Sequence, residues 1–109
     1  MNSPRFVAVC HMGICRSGAM VLALREAGVD AIAASAYLGS EEHRAMLFDW
    51  ATYIIVMQPK FAERVPGAFK SKLRTVDVGE DVWSNPTHPE LLMFTRGVVQ
   101  DWKARDWKI

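Results

Sequence analysis

The stretch from Phe6 to Ala27 constrains this chain more than any other. Phe6-Val7-Ala8-Val9 is a short apolar, mostly β-favouring run, the pattern of a strand buried on both faces of a parallel sheet. Gly18 to Ala27 draws on Ala, Met, Leu, Arg and Glu, which favour helix, with Ser17 placed as its cap and Gly28 as its stop. Between them, Cys10-His11-Met12-Gly13-Ile14-Cys15-Arg16-Ser17 is expected to form a tight loop. Strand, loop and helix in that order put Cys10 at the carboxyl end of a strand, where open parallel sheets bind their ligands.

The rest of the chain repeats the alternation. Ala31 to Ser35 reads as a second strand, although alanine is a poor strand former. Ser40 caps a helix that runs through about Ala51, with Glu41 and Glu42 in the first turn where the dipole favours them. Tyr53-Ile54-Ile55-Val56-Met57 is the clearest buried strand. Pro59 opens a short helix, Lys60 to Val65, which Pro66-Gly67 ends. Leu73 to Val78 is a fourth strand, and Gly79 to Pro86 a loop. Thr87 caps a last helix, His88 to Asp106, directing Leu91, Leu92, Phe94, Val98, Val99 and Trp102 at the core. Gly97 weakens that helix by about 1 kcal/mol relative to alanine. Alternating strands and helices predict an α/β three-layer sandwich: a four-stranded parallel sheet, helices on both faces, and the active-site loop after the first strand. At 109 residues the chain suits one domain spanning residues 1–109.

The loop carries the chemistry. A helix N-terminus presents unpaired N–H groups and the positive end of a dipole, which favour both a phosphate and a thiolate. Five residues separate Cys10 from Arg16. A loop of that length can wrap its amides around three phosphate oxygens while the guanidinium grips two of them with a planar fork that lysine lacks. Net charge is only +1, so there is no broad electrostatic footprint for nucleic acid or an anionic membrane, and attraction for an anion has to be local. No signal-like or membrane-spanning stretch is visible. The two cysteines lie too close together to staple distant parts of the chain, so the expectation is a cytoplasmic protein with reduced thiols.

On Cys10, Cys15, Arg16 and Ser17, the loop resembles the Cys-x5-Arg-Ser signature of the low-molecular-weight protein tyrosine phosphatases, with their second cysteine before the arginine. Ser35-Ala36 is similar to that family's Ser-Ala-Gly segment. Tyr53 to Met57 is similar to its third strand, and Asp81-Val82-Trp83-Ser84-Asn85 to its late Asp-Pro-aromatic loop. The resemblance implies a phosphatase acting on phosphorylated proteins or peptides and on small aryl phosphates, without metal or organic cofactor. Cys10 is the implied nucleophile, Arg16 the clamp, Asp81 the general acid, and His11 to Ser17 the phosphate-binding loop. Tyr37 and Trp83 are the implied walls of the substrate pocket. Ser17 would hydrogen-bond the sulfur as it leaves, His11 would sit on the rim, and Cys15 would pack in the core or trap an oxidised Cys10 as a disulfide. Three positions depart from the family: Gly13 replaces an asparagine, Gly18 a proline, and Val82 the proline after the acid, which leaves Asp77 and Glu80 as competitors of Asp81.

Other readings compete. Arsenate reductases of the same fold pass a disulfide to further cysteines, which this sequence lacks. Phosphocysteine carriers place a cysteine similarly but have no arginine clamp. A non-catalytic phosphate- or phosphotyrosine-binding module would keep the loop without turnover. Trp50 is expected in the core, His43 and His88 at the surface and at a helix start. Trp102 and Trp107 suit either the core or a dimer patch, so the oligomeric state is left open.

Overall fold

The computed structural model describes residues 3–109. Four parallel strands, β1 (Arg5–Cys10), β2 (Asp30–Ser35), β3 (Tyr53–Val56) and β4 (Leu73–Thr75), form one sheet in the order β2-β1-β3-β4. Three helices accompany them: α1 (Arg16–Glu26), α2 (Glu41–Trp50) and α3 (Pro89–Ala104). The expected architecture is therefore present. β1 is central, and every residue from Phe6 to Cys10 is buried, as its unbroken apolar run requires of a strand covered on both faces. Phe6 stacks on Trp102 of α3 at 5.9 Å, and Thr95 of α3 donates to the Ala19 carbonyl of α1, so these helices share one face. The chain steps from β1 to β2 through α1 and back past β1 to β3 through α2. Right-handed crossovers in opposite directions put α2 on the other face. There Phe48 meets Phe69 edge to face at 5.9 Å.

This topology decides where a ligand can go. Connections leave β1 and β3 toward opposite sides, which opens a crevice beyond their carboxyl ends. Cys10 ends β1, and Met57-Gln58 follow β3.

Several boundaries behave as the residues predict. Gly28, at φ +91°, ends α1 in a Schellman turn, with Gly28 N–H on the Arg25 carbonyl and Val29 N–H on that of Leu24. Ser40 Oγ accepts from His43 N–H and caps α2. Others differ. Ser17 does not cap α1; Cys15 holds that position without a side-chain bond, and Ser17 lies buried in the first turn. His88, not Thr87, caps α3, its Nδ1 accepting from Glu90 N–H. The segment Pro59–Arg64 is a 3-10 helix, and a second one, Gly67–Lys72, follows where a break was expected. β4 is shorter than expected, although Val76 and Val78 still donate to carbonyls of Val56 and Met57. On α3 the buried stripe runs Leu91, Thr95, Val99, Trp102, so Leu92 falls on its flank and Phe94 is 46% exposed. The helical period decides this over side-chain polarity: Thr95 takes the inward position and satisfies its hydroxyl on the Ala19 and Leu92 carbonyls. Trp102 is buried, and Trp107 packs edge-on against Phe6 at 5.7 Å. Trp50 is half-buried, with the Arg5 guanidinium 5.5 Å from its ring. Among the described residues no helix is long and apolar enough to cross a membrane.

Candidate active site

Cys10 is 2% exposed at the end of β1, with its Sγ 3.1 Å from Ser17 Oγ. The hydroxyl that failed to cap α1 thus turns to the sulfur. From His11 to Ser17 no backbone N–H donates to an acceptor among the described residues. The run ends at the N-terminus of α1, so a series of free amides leads into the positive end of a helix dipole, the arrangement that binds anions. Gly13 makes the turn possible. It sits at φ +75°, and a Cβ there would lie 2.8 Å from the Ala34 carbonyl carbon and the Ser35 nitrogen. The loop therefore passes directly over the end of β2. Ser35 fastens it, donating its hydroxyl to the His11 carbonyl at 2.6 Å and accepting from the N–H groups of Tyr37 and Leu38.

Arg16 is 2% exposed. Its Nη1 donates to Gln58 Oε1 and, at 2.8 Å, to the Gly79 carbonyl, while its Nε–H is buried without a partner. Nη2 makes no hydrogen bond among the described residues. Nε–H and one Nη2–H lie along one edge of a guanidinium, so the edge left open is a ready two-pronged donor. Phe61 packs under this group, ring centre 5.3 Å from Cζ.

The late loop is drawn onto α1. A Cβ on Gly18 would come within 2.9 Å of Pro86 Cβ, so the glycine makes room for a proline from the opposite side. Burial pushes the Cys15 thiol above its ordinary value, and the charges of Asp81 and Cys10 push the same way, with Arg16 opposing. Asp81, Cys10 and Arg16 are thus all within electrostatic reach of one sulfur. Of the competing acids, exposed Asp77 accepts from Gly79 N–H in a local turn. Glu80 accepts from Gln58 Nε2 at 3.1 Å and pairs with Lys60 at 3.6 Å. These partners, Gln58 first, hold its carboxyl below the usual glutamate range.

Tyr37 reaches the loop, its ring 4.9 Å from that of His11 and 6.0 Å from Phe61, with the Arg64 guanidinium 5.1 Å away. Trp83 packs edge-on against His88 at 5.2 Å, with a buried, unpartnered indole N–H, and makes no ring contact with Tyr37. Met12 and Ile14 point outward, 47% and 55% exposed. Sequence reasoning missed Gln58, Gly79 and the Pro86–Gly18 contact. Gln58 had a usable signal, since it directly follows the strand neighbouring β1. Among the described residues no group of three His, Cys, Asp or Glu side chains forms a metal cluster.

A parallel α/β sheet with a turn of unpaired amides after a central strand is the class of fold this arrangement defines. No protein-family model matches the chain, and no curated protein matches it. Solved structures do. The arginine phosphatase YwlE from Geobacillus stearothermophilus is 18% identical, covers 94% of this chain and 95% of its own, and superposes with a TM-score of 0.69. Wzb of Vibrio vulnificus, in complex with benzylphosphonate, is 14% identical over 95% of this chain and 99% of its own, with a TM-score of 0.72. A low-molecular-weight protein tyrosine phosphatase from Streptococcus pyogenes is 16% identical over 94% and 93%, with a TM-score of 0.70. The fold is that of the low-molecular-weight tyrosine phosphatases.

Proposed function

We propose that this chain is a cysteine-dependent phosphatase that hydrolyses phosphate monoesters, with protein phosphotyrosine as its substrate. The observation that carries the reading is the buried Arg16 guanidinium, tied by Nη1 to Gln58 and Gly79 and left with an unpartnered Nε–H beside a loop of free amides. A tetrahedral oxyanion satisfies both at once.

In this reading Cys10 sulfur attacks phosphorus in line, forming the S–P bond as the P–O bond to the leaving group breaks. Loop amides and the open edge of Arg16 hold the three equatorial oxygens, where charge must be stabilised in the transition state. Asp81 protonates the leaving oxygen, then takes a proton from the water that breaks the S–P bond. Ser17 donates to the departing sulfur. Asp81 is preferred because a general acid must hold its proton, and the contacts of Glu80 work against that. The structural neighbours include phosphatases of tyrosine and of arginine. The aromatic ring of Tyr37, 4.9 Å from that of His11 in the loop and 40% exposed, suits stacking against an aryl leaving group. The mechanism needs Cys10 as a thiol, and both cysteines are free, which suits a reducing compartment such as the cytoplasm.

The test is hydrolysis of an aryl phosphate, an alkyl phosphate, and peptides carrying phosphotyrosine or phosphoarginine. Turnover is expected on the aryl phosphate and the phosphotyrosine peptide. It is lost in Cys10→Ser, which keeps its affinity for inorganic phosphate. Undiminished turnover in Cys10→Ser removes the nucleophile, and preference for phosphoarginine removes the substrate assignment.

A further inference from the structure

Arg16 is buried, yet among the described residues no carboxylate touches it; both of its acceptors, Gln58 Oε1 and the Gly79 carbonyl, are neutral. A buried cation without a counter-charge is unfavourable by itself. Glu80 stands one hydrogen bond further out, through Gln58 Nε2. The amide between them has only one sensible orientation. Arginine offers donors alone and a carboxylate acceptors alone, so Oε1 faces Arg16 and Nε2 faces Glu80. Lys60 in turn holds Glu80 from outside. Gln58 itself is 8% exposed and stands at the carboxyl end of β3, across the crevice from Cys10.

Resting on the phosphatase reading of this site, we propose that Gln58 is the positioning residue of Arg16. It pins Nη1 so that Nε–H and Nη2 face the oxyanion, and Glu80 fixes the amide from its far side. A carboxylate at position 58 would orient the guanidinium equally well but would neutralise it. The neutral amide leaves the full charge for an incoming dianion.

The experiment compares wild type, Gln58→Met and Gln58→Asn by calorimetric titration with inorganic phosphate and by nitrogen NMR of the guanidinium groups. Methionine keeps the length but offers no oxygen; asparagine keeps the amide but is one methylene too short to reach both partners. In the wild type, Arg16 should show separate Nη1 and Nη2 resonances. In both variants these should broaden toward coalescence as the guanidinium, left with only its Gly79 bond, turns more readily, and phosphate affinity should fall about tenfold or more, the scale of a lost hydrogen bond to a charged group. Separate resonances with unchanged affinity in a folded variant overturn the proposal, and Gln58→Asn decides the matter if Gln58→Met does not fold. A wild type that binds no phosphate removes the site reading and this inference with it. Binding that is equal in wild type and variants removes this inference alone.

Discussion

Replacing Gly13 with alanine tests the loop geometry most directly. Two penalties apply. An L-residue in the left-handed region, here φ +75°, costs about 1–2 kcal/mol. The added methyl would also sit 2.8 Å from two backbone atoms of Ala34 and Ser35, and such overpacking costs about 1–3 kcal/mol. Those atoms cannot swing aside as a side chain would. They end β2, where Ser35 pairs in register with Cys10 and its hydroxyl holds the His11 carbonyl. The sum is about 2–5 kcal/mol if the loop stays in place. For a domain of this size, a loss of about 3 kcal/mol lowers the melting temperature by about 12–24 °C. If the loop yields instead, the melting temperature falls less and phosphate affinity drops, because the amides no longer converge. Thermal unfolding with and without phosphate separates these cases. Gly13→Asn divides the penalties further, since asparagine tolerates the left-handed region better but carries the same Cβ. It should recover no more than about 1 kcal/mol over alanine. Wild-type stability and phosphate affinity in Gly13→Asn, the residue the family resemblance leads one to expect, would refute the close approach to β2.

Asp81→Asn should slow aryl phosphate hydrolysis by about 10²–10⁴-fold, whereas Asp77→Asn and Glu80→Gln should change it far less; either control matching Asp81→Asn would move the acid. Mild peroxide should inactivate reversibly: it oxidises Cys10 to a sulfenic acid, and Cys15 sulfur displaces hydroxide to close a disulfide. Because burial, Asp81 and Cys10 raise the Cys15 thiol, closure should accelerate as pH rises beyond the ordinary thiol range. Equal recovery by reductant in Cys15→Ser would count against the disulfide. The two hydrogen bonds from Arg96 hold the Glu26 carboxyl below the usual glutamate range. The pair therefore contributes above the unfolded glutamate value, and its contribution is lost as pH falls from there through the lower folded value. Glu26→Gln should flatten the acid limb of the stability curve there, and a limb parallel to the wild type would disprove the linkage.

Much of the fold was legible because it rests on local rules. A continuous apolar run makes β1 central, Gly28 is the residue that relaxes into a Schellman turn, and Ser40 before two acids marks a helix start. The features that went unread depend on partners distant in sequence. The bond between Ser17 and the Cys10 sulfur was reached through the family resemblance and not from local propensity, which made Ser17 a cap, and nothing near Thr95 says that Ala19 will satisfy it in the core. The Arg16 environment is assembled from Gln58 after β3 and Gly79 after β4, which share a neighbourhood only because the strand order is β2-β1-β3-β4.

The amino-acid order by itself determined the strand–loop–helix unit, and with it the spacing of sulfur, amides and guanidinium, because those groups lie within one stretch whose backbone has few ways to turn. Which edge of Arg16 stays open, which partners Glu80 takes, and how closely the late loop lies on α1 were decided only in three dimensions. Each depends on a hydrogen bond or a contact between residues tens of positions apart, and sheet order rather than local propensity brings those residues together.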